Sequence, residues 1–244
     1  MTRPTARPDL RAALAQTRIL LLFTPALAPE GRSDALLGEL LPWVDAVQIR
    51  AKPLGAGSGP AEARETMRLA RLALELAREL EVPPLVFVDD RVDVALCLAD
   101  EGLAGVHLGE GDLDPIAARA LLGSELLVGL STHDLAAVAR AQDLPVDYLG
   151  FGPVYATATK GYGAGLGPER AWLAAEGSSL PIFPIGGIDL SNAEELAPVG
   201  RAAVGAALLQ ARDPAAAART LRALLTEGAG DLDQGSSNIA SPNE

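Results

Sequence analysis

Short apolar runs alternate along this chain with stretches whose apolar residues recur at helical spacing. The runs predict strands at Ile19–Phe23, Ala46–Ile49, Leu85–Val88, Gly105–Val106, Leu126–Gly129, Tyr148–Gly150, Ile182–Pro184 and Ala202–Val204. Between two of them, Thr66–Glu79 places Met67, Ala70, Leu74 and Ala77 on one face and Arg and Glu elsewhere, the pattern of an amphipathic helix. Further helices are predicted at Ala35–Leu41, Val92–Ala99, Ala117–Leu122, Ala136–Ala141, Pro168–Ala175, Asn192–Leu196 and Ala215–Leu225. Repeated strand–helix units imply parallel strands joined by right-handed crossovers, and closing the sheet into a ring removes both edges. An open doubly wound sheet would carry a glycine-rich fingerprint after its first strand, where this chain has Thr24-Pro25. The expected fold is therefore α/β, a single (β/α)8 TIM barrel spanning residues 18–226. Residues 1–17, rich in proline and arginine at their start, are set apart as an N-terminal arm. Residues 227–244, mostly Gly, Ser, Asp and Asn, read as a disordered C-terminal tail.

Composition narrows the class. The 244 residues match the length of about 250 that one such barrel needs, and 49% hydrophobic content is enough for a large core. No apolar run approaches the roughly 18 residues of a membrane span, and the amino terminus lacks the features of a secretion signal. Cys97 is the only cysteine, which excludes an intrachain disulfide and fits a reducing, cytoplasmic setting. A net charge of −12 argues against a nucleic-acid partner, although an acidic exterior can surround a basic pocket. Ala-rich helices leave both a monomer and a homo-oligomer open.

In a barrel, chemistry sits at the carboxyl ends of the strands, and the unusual polar residues fall there. After the second strand, alternation puts Gln48, Arg50 and Lys52 on one side. The third runs into Asp89-Asp90-Arg91; adjacent carboxylates after a buried strand need either a facing cation or a helix to cap. Asp90 and Asp112 follow neighbouring strands and could share a Mg²⁺ that keeps positions for water and phosphate oxygens. His107 reads as a buried structural histidine. Ser131 and Thr132 either cap the next helix or touch a ligand. In Tyr155-Ala-Thr-Ala-Thr-Lys160, two hydroxyls and an ammonium group offer an anion site. Gly186 and Gly187 let a phosphate approach the backbone, with a following helix N-terminus whose Ser191 and Glu194 have capping-box spacing. Gly205 after the last strand offers another close approach. Two anion regions result: Arg50, Lys52 and Lys160 with a metal for a diphosphate, and Gly186, Gly187, Gly205, Thr157 and Thr159 for a monophosphate. Two phosphorylated small molecules held face to face point to a substitution that displaces diphosphate, driven by charge neutralisation and positioning.

From about Arg18 to Asp213 the chain resembles the thiamine phosphate synthase family, whose superfamily also contains the thiazole tautomerases. The likeness rests on Gln48-x-Arg50-x-Lys52, Asp90-Arg91-Val92-Asp93, Gly105-Val-His107-Leu-Gly109 with Asp112, Gly129-x-Ser131-Thr132-His133, Gly152-Pro153 through Lys160, and Ile185-Gly186-Gly187-Ile188. It implies joining of hydroxymethylpyrimidine diphosphate to hydroxyethylthiazole phosphate, with release of diphosphate. By position, Asp90 and Asp112 would hold Mg²⁺, and Gln48, Arg50, Lys52 and Lys160 would grip the diphosphate. Ser131 would lie at the pyrimidine and share the catalytic role with Lys160, while Thr157, Thr159 and Gly187 would hold the thiazole phosphate. Asp89 stands among the substrate contacts where the family usually has Asn, Glu110 where it has Gln, and Gly205 opens a segment without the usual serine. The glycine-rich loop 160–167 resembles the tautomerase branch, in which His133 would be the base. A barrel that binds thiamine precursors without turnover is the third reading.

Overall fold

The computed structural model describes residues 9–52, 59–156 and 165–227. Eight strands form one parallel sheet: β1 (Ile19–Phe23), β2 (Ala46–Ile49), β3 (Leu85–Asp89), β4 (Gly105–Leu108), β5 (Leu127–Thr132), β6 (Tyr148–Phe151), β7 (Ile182–Pro184) and β8 (Ala202–Val204). Their order, β7-β6-β5-β4-β3-β2-β1-β8, sets consecutive strands side by side and brings β8 against β1. The ring closes where Ile185, just past β7, bridges Ala203 of β8. The expected (β/α)8 barrel is thus the architecture found. Four strands run further than the apolar pattern predicts, to Asp89, Leu108, Thr132 and Phe151; in the first three the ladder continues through the polar residues Asp89, His107 and Ser131.

Around the sheet lie α1 (Leu10–Gln16), α2 (Ser33–Leu40), α3 (Pro60–Arg78), α4 (Val92–Leu98), α5 (Pro115–Leu122), α6 (Leu135–Ala141), α7 (Pro168–Glu176), α8 (Ala206–Leu209) and α9 (Pro214–Glu227). Strand alternation divides the core in two. Leu20, Ala46, Leu85, Phe87, Leu127, Tyr148, Phe183 and Ala203 fill the barrel interior. Their sequence neighbours, among them Leu21, Val47, Val86, Val106, Val128 and Leu149, pack outward against the helices. The buried stripe of α3 is Leu69, Ala70, Ala73, Leu74 and Ala77, so the predicted amphipathic face is the one that docks.

Helix α1 falls inside the segment set apart as an arm and closes the amino end of the barrel. Asp9 caps it, accepting from the Arg11 and Ala12 backbone N–H groups. Leu14 joins the interior cluster, and Arg11 Nε lies 2.9 Å from Asp147 Oδ1. After β7 the expected helix is a 3-10 turn, Ala193–Leu196. The capping box does not form: Asp189 Oδ1 accepts from Ser191 N at 2.8 Å and Ser191 Oγ at 2.6 Å. Residues 1–8 and 228–244 lie outside the described residues, as do Thr157, Thr159 and Lys160. Among the described residues, no helix is long and apolar enough to cross a membrane.

Candidate active site

At the carboxyl ends of β2 and β3, the pairing Gln48↔Phe87 and Ile49↔Val88 carries the next inward residues into contact. Gln48 Nε2 donates to Asp89 Oδ1 at 2.5 Å, and Arg50 Nε lies 3.3 Å from Asp89 Oδ2. Lys52 pairs through Nζ with Asp90 Oδ2. The two carboxylates therefore face cations, and neither caps α4, whose N-cap residue Arg91 makes no side-chain capping bond. Asp90 is held at φ 60°, the left-handed region that costs a side-chain-bearing residue energy but that Asp tolerates better than most. This turn releases its backbone N–H to the carbonyl of His107 at 2.8 Å. One strand over, Asp112 Oδ2 accepts from Gly109 N at 2.7 Å, so its carboxylate is steadied by its own loop. Arg91 bonds Asp93, and that guanidinium holds the Asp93 carboxyl below its ordinary range.

Beside this ionic rim opens a cavity of about 160 Å³. Gln48, His107, Ser131, His133 and Tyr148 line one part of it, and Gly186, Gly187 and Gly205 another, with Leu20, Leu22, Phe183 and Ile185 as apolar wall. Gly186 and Gly187 adopt φ 98° and 67°, so the chain turns there in a way a side chain would resist. In the floor, His107 shares hydrogen bonds with Tyr148 Oη through Nδ1 at 3.1 Å and with Ser131 Oγ through Nε2 at 3.0 Å. Room for these rings comes from Gly129, where an added Cβ would stand 2.2 Å from Tyr148 Cζ. Complete burial, reinforced by the charges of Asp89 and Asp147, pushes the Tyr148 phenol well above its usual value and keeps it protonated.

The alternatives left open for β5 separate here. Ser131 is bonded to His107, Thr132 Oγ1 donates to the Gly150 carbonyl at 2.9 Å, and Asp134 caps α6 by accepting from Ala137 N. His133 donates through Nδ1 to the Gly152 carbonyl at 2.6 Å and turns to the cavity wall. A helix N-terminus behind Gly187 is absent because the following segment is the 3-10 turn at Ala193.

Of the residues singled out in the sequence, Gln48, Ser131, Gly187 and Gly205 line the cavity. Arg50, Lys52, Asp89 and Asp90 form the paired rim, and Asp112 follows the next strand. Sequence reasoning missed Tyr148; its signal was the alternation Tyr148-Leu-Gly150 opposite Gly129, small residues flanking a ring. Among the described residues, no group of three or more His, Cys, Asp or Glu side chains could hold a metal ion. Asp90 and Asp112 follow the neighbouring strands β3 and β4, and carboxylates are the donor type Mg²⁺ takes, one or two of them with water and phosphate oxygens in its remaining positions.

The profile of the family described as thiamine monophosphate synthase matches residues 32–211. A Thermus thermophilus protein named thiamine-phosphate synthase is 40% identical over 211 residues, covering 84% of this chain and 95% of that protein. One of the same name from Gloeobacter violaceus is 38% identical over 85% of this chain, which spans only 64% of its length. The solved thiamine phosphate pyrophosphorylase of Pyrococcus furiosus superposes with a TM-score of 0.74 at 31% identity, covering 91% of this chain and 100% of that one.

Proposed function

Because the chain belongs to the thiamine monophosphate synthase family, we propose that it is a thiamine-phosphate synthase. It joins hydroxymethylpyrimidine diphosphate to hydroxyethylthiazole phosphate, giving thiamine phosphate and diphosphate, as an alkyl-group transferase in the cytoplasm. The observation that carries this reading is the juxtaposition of an ionic rim, in which Arg50 and Lys52 are each paired with a carboxylate, with a largely apolar cavity that ends in glycine backbone. A leaving diphosphate needs the first, and a flat heteroaromatic ring with a small phosphate tail needs the second.

In the reaction the carbon–oxygen bond between the pyrimidine methylene and the diphosphate breaks, and a bond from the thiazole nitrogen to that carbon forms. Arg50 and Lys52, each held in place by a carboxylate, meet the charge that builds on the departing oxygen. Lys160, in the loop beyond β6, would add a third cation, and Thr157, Thr159, Gly187 and Gly205 would hold the thiazole phosphate. Ser131, fixed by His107, would contact the pyrimidine as its bond to oxygen lengthens. Asp90 and Asp112 would hold Mg²⁺, which supplies Lewis-acid stabilisation of the diphosphate. The apolar wall of Leu20, Leu22 and Phe183 excludes the water that would otherwise capture the activated carbon.

The test is diphosphate release from the two substrates together. Release is expected with Mg²⁺ and is lost with excess chelator. Asp112→Ala is expected to lower turnover on the order of 10²-fold, as loss of one charge-stabilising contact typically does, while the melting temperature stays close to that of the wild type. Equal release with and without chelator refutes the metal's role. Isomerisation of a thiazole carboxylate phosphate that vanishes in His133→Ala, without any diphosphate release, would favour the tautomerase reading instead.

A further inference from the structure

Two donors behind the glycine pair decide which way its peptide groups face. The Gly186 carbonyl accepts from the Tyr155 N–H at 3.0 Å, and the Gly187 carbonyl accepts from Asn192 Nδ2 at 2.9 Å. A trans peptide directs its N–H opposite to its C=O, so the N–H groups of Gly187 and Ile188 are turned away from those partners. Neither finds an acceptor among the described residues, and both residues line the cavity. Backbone N–H groups presented in succession form anion-binding concavities. A 3-10 turn stands in place of a following helix, so no helix N-terminus adds its partial charge, and the orientation of single peptide groups matters the more.

Asn192 is set for this task by bonds of its own. Its Oδ1 accepts from the Asp189 N–H at 2.9 Å, which leaves Nδ2 as the end facing Gly187. Its backbone carbonyl accepts from the Tyr155 hydroxyl at 3.1 Å, tying the turn to the loop after β6. We propose that Asn192 is a positioning residue that, through the Gly187 carbonyl, holds the Gly187–Ile188 peptide with its N–H toward the phosphate of the bound thiazole. Without Nδ2 that carbonyl is free to rotate and to set its oxygen against the phosphate oxygens. The inference rests on the synthase reading, in which Gly187 meets the thiazole phosphate, and deepens it by naming the side chain that orients the contact.

Calorimetric titration with thiamine phosphate and with thiamine tests it without turnover. The two ligands differ only in the phosphate, so contacts to the rings cancel in the affinity ratio. Wild-type protein is expected to prefer thiamine phosphate. In Asn192→Ala that preference should fall about tenfold, the worth of one hydrogen bond to a charged group, while thiamine binds as before. Asn192→Asp keeps an oxygen for the Asp189 N–H but loses the donor to Gly187, so its preference should fall at least as far. In diphosphate release, KM for the thiazole phosphate should rise by a similar factor in both variants while KM for the pyrimidine diphosphate holds, a split that general loosening of the barrel would not produce. An equal loss of affinity for both ligands, leaving the ratio unaltered, would mean that Asn192 only supports the loop, and the proposal would fail while the synthase reading stood. Wild-type behaviour of Asn192→Asp would trace the effect to Asp189 and overturn it, as would equal wild-type affinities for the two ligands. A wild-type protein that neither binds thiamine phosphate nor releases diphosphate removes the synthase reading and this proposal together.

Discussion

Single residues divide between those whose role follows from chemical type and those whose role follows from a neighbour. Strand alternation alone groups Gln48 and Arg50, because a period of two fixes which side chains share a face. Asp89 is different: capping and ion pairing call for the same residue type, and only the arrival of β2 beside β3 chooses pairing. Ser131 follows the same logic, with Asp134 taking the cap and leaving the hydroxyl to His107. Ser131→Ala is expected to reduce kcat on the order of 10²-fold with little change in melting temperature, measured by diphosphate release and thermal denaturation. Tyr148 gives a pH prediction. Its phenol, ordinarily near 10.0, is raised by burial, so the folded protein keeps a proton that the unfolded chain surrenders. The stability this confers is complete below about pH 10 and is lost as pH climbs through the folded-state value. Tyr148→Phe should flatten that alkaline decline in urea midpoints collected across the range; an unchanged slope would assign the decline to other groups.

At the level of elements, the eight strands were legible because short apolar runs bounded by turn residues leave few alternatives. Their carboxyl ends were not, since a strand that continues through inward polar residues looks in sequence like a loop. The segment after β7 was overread as a helix, and α1 was missed. LRAALAQ is only 7 residues long, too short to be helical on its own, and it holds its form by docking Leu14 into the barrel base. Packing inside the ring is equally specific. At Gly129 a methyl group would stand 2.2 Å from Tyr148 Cζ and 2.6 Å from His107 Nδ1. Gly129→Ala should therefore cost about 1–3 kcal/mol by overpacking and shift the floor that steadies Ser131. At Gly111 the same methyl group meets nothing within 4 Å, so Gly111→Ala serves as the matched control. Denaturant midpoints of the two variants compare the positions directly.

On the scale of the whole molecule, the fold segregates two requirements. The amino end of the barrel is plugged by α1 and contributes stability, while the carboxyl end carries the ionic rim and the cavity. Leu14→Ala should therefore destabilise by about 2–5 kcal/mol and lower the melting temperature on the order of 10 °C. Its KM values should stay near those of the wild type at a temperature where it is folded, and a large change in KM would contradict the separation. The architecture was readable from the sequence because length, alternation and the absent glycine fingerprint all point to one ring. The cavity was only partly so, because its walls come from strands distant along the chain. One further property follows from how that ring is sealed. Every other join between strands is a continuous ladder, whereas β7 meets β8 through a lone bridge at Ile185 and Ala203. A hoop with one loosely stitched seam breathes there first, so amide deuterium uptake should be quickest along that line, beside the very glycines to which a phosphate tail would bind.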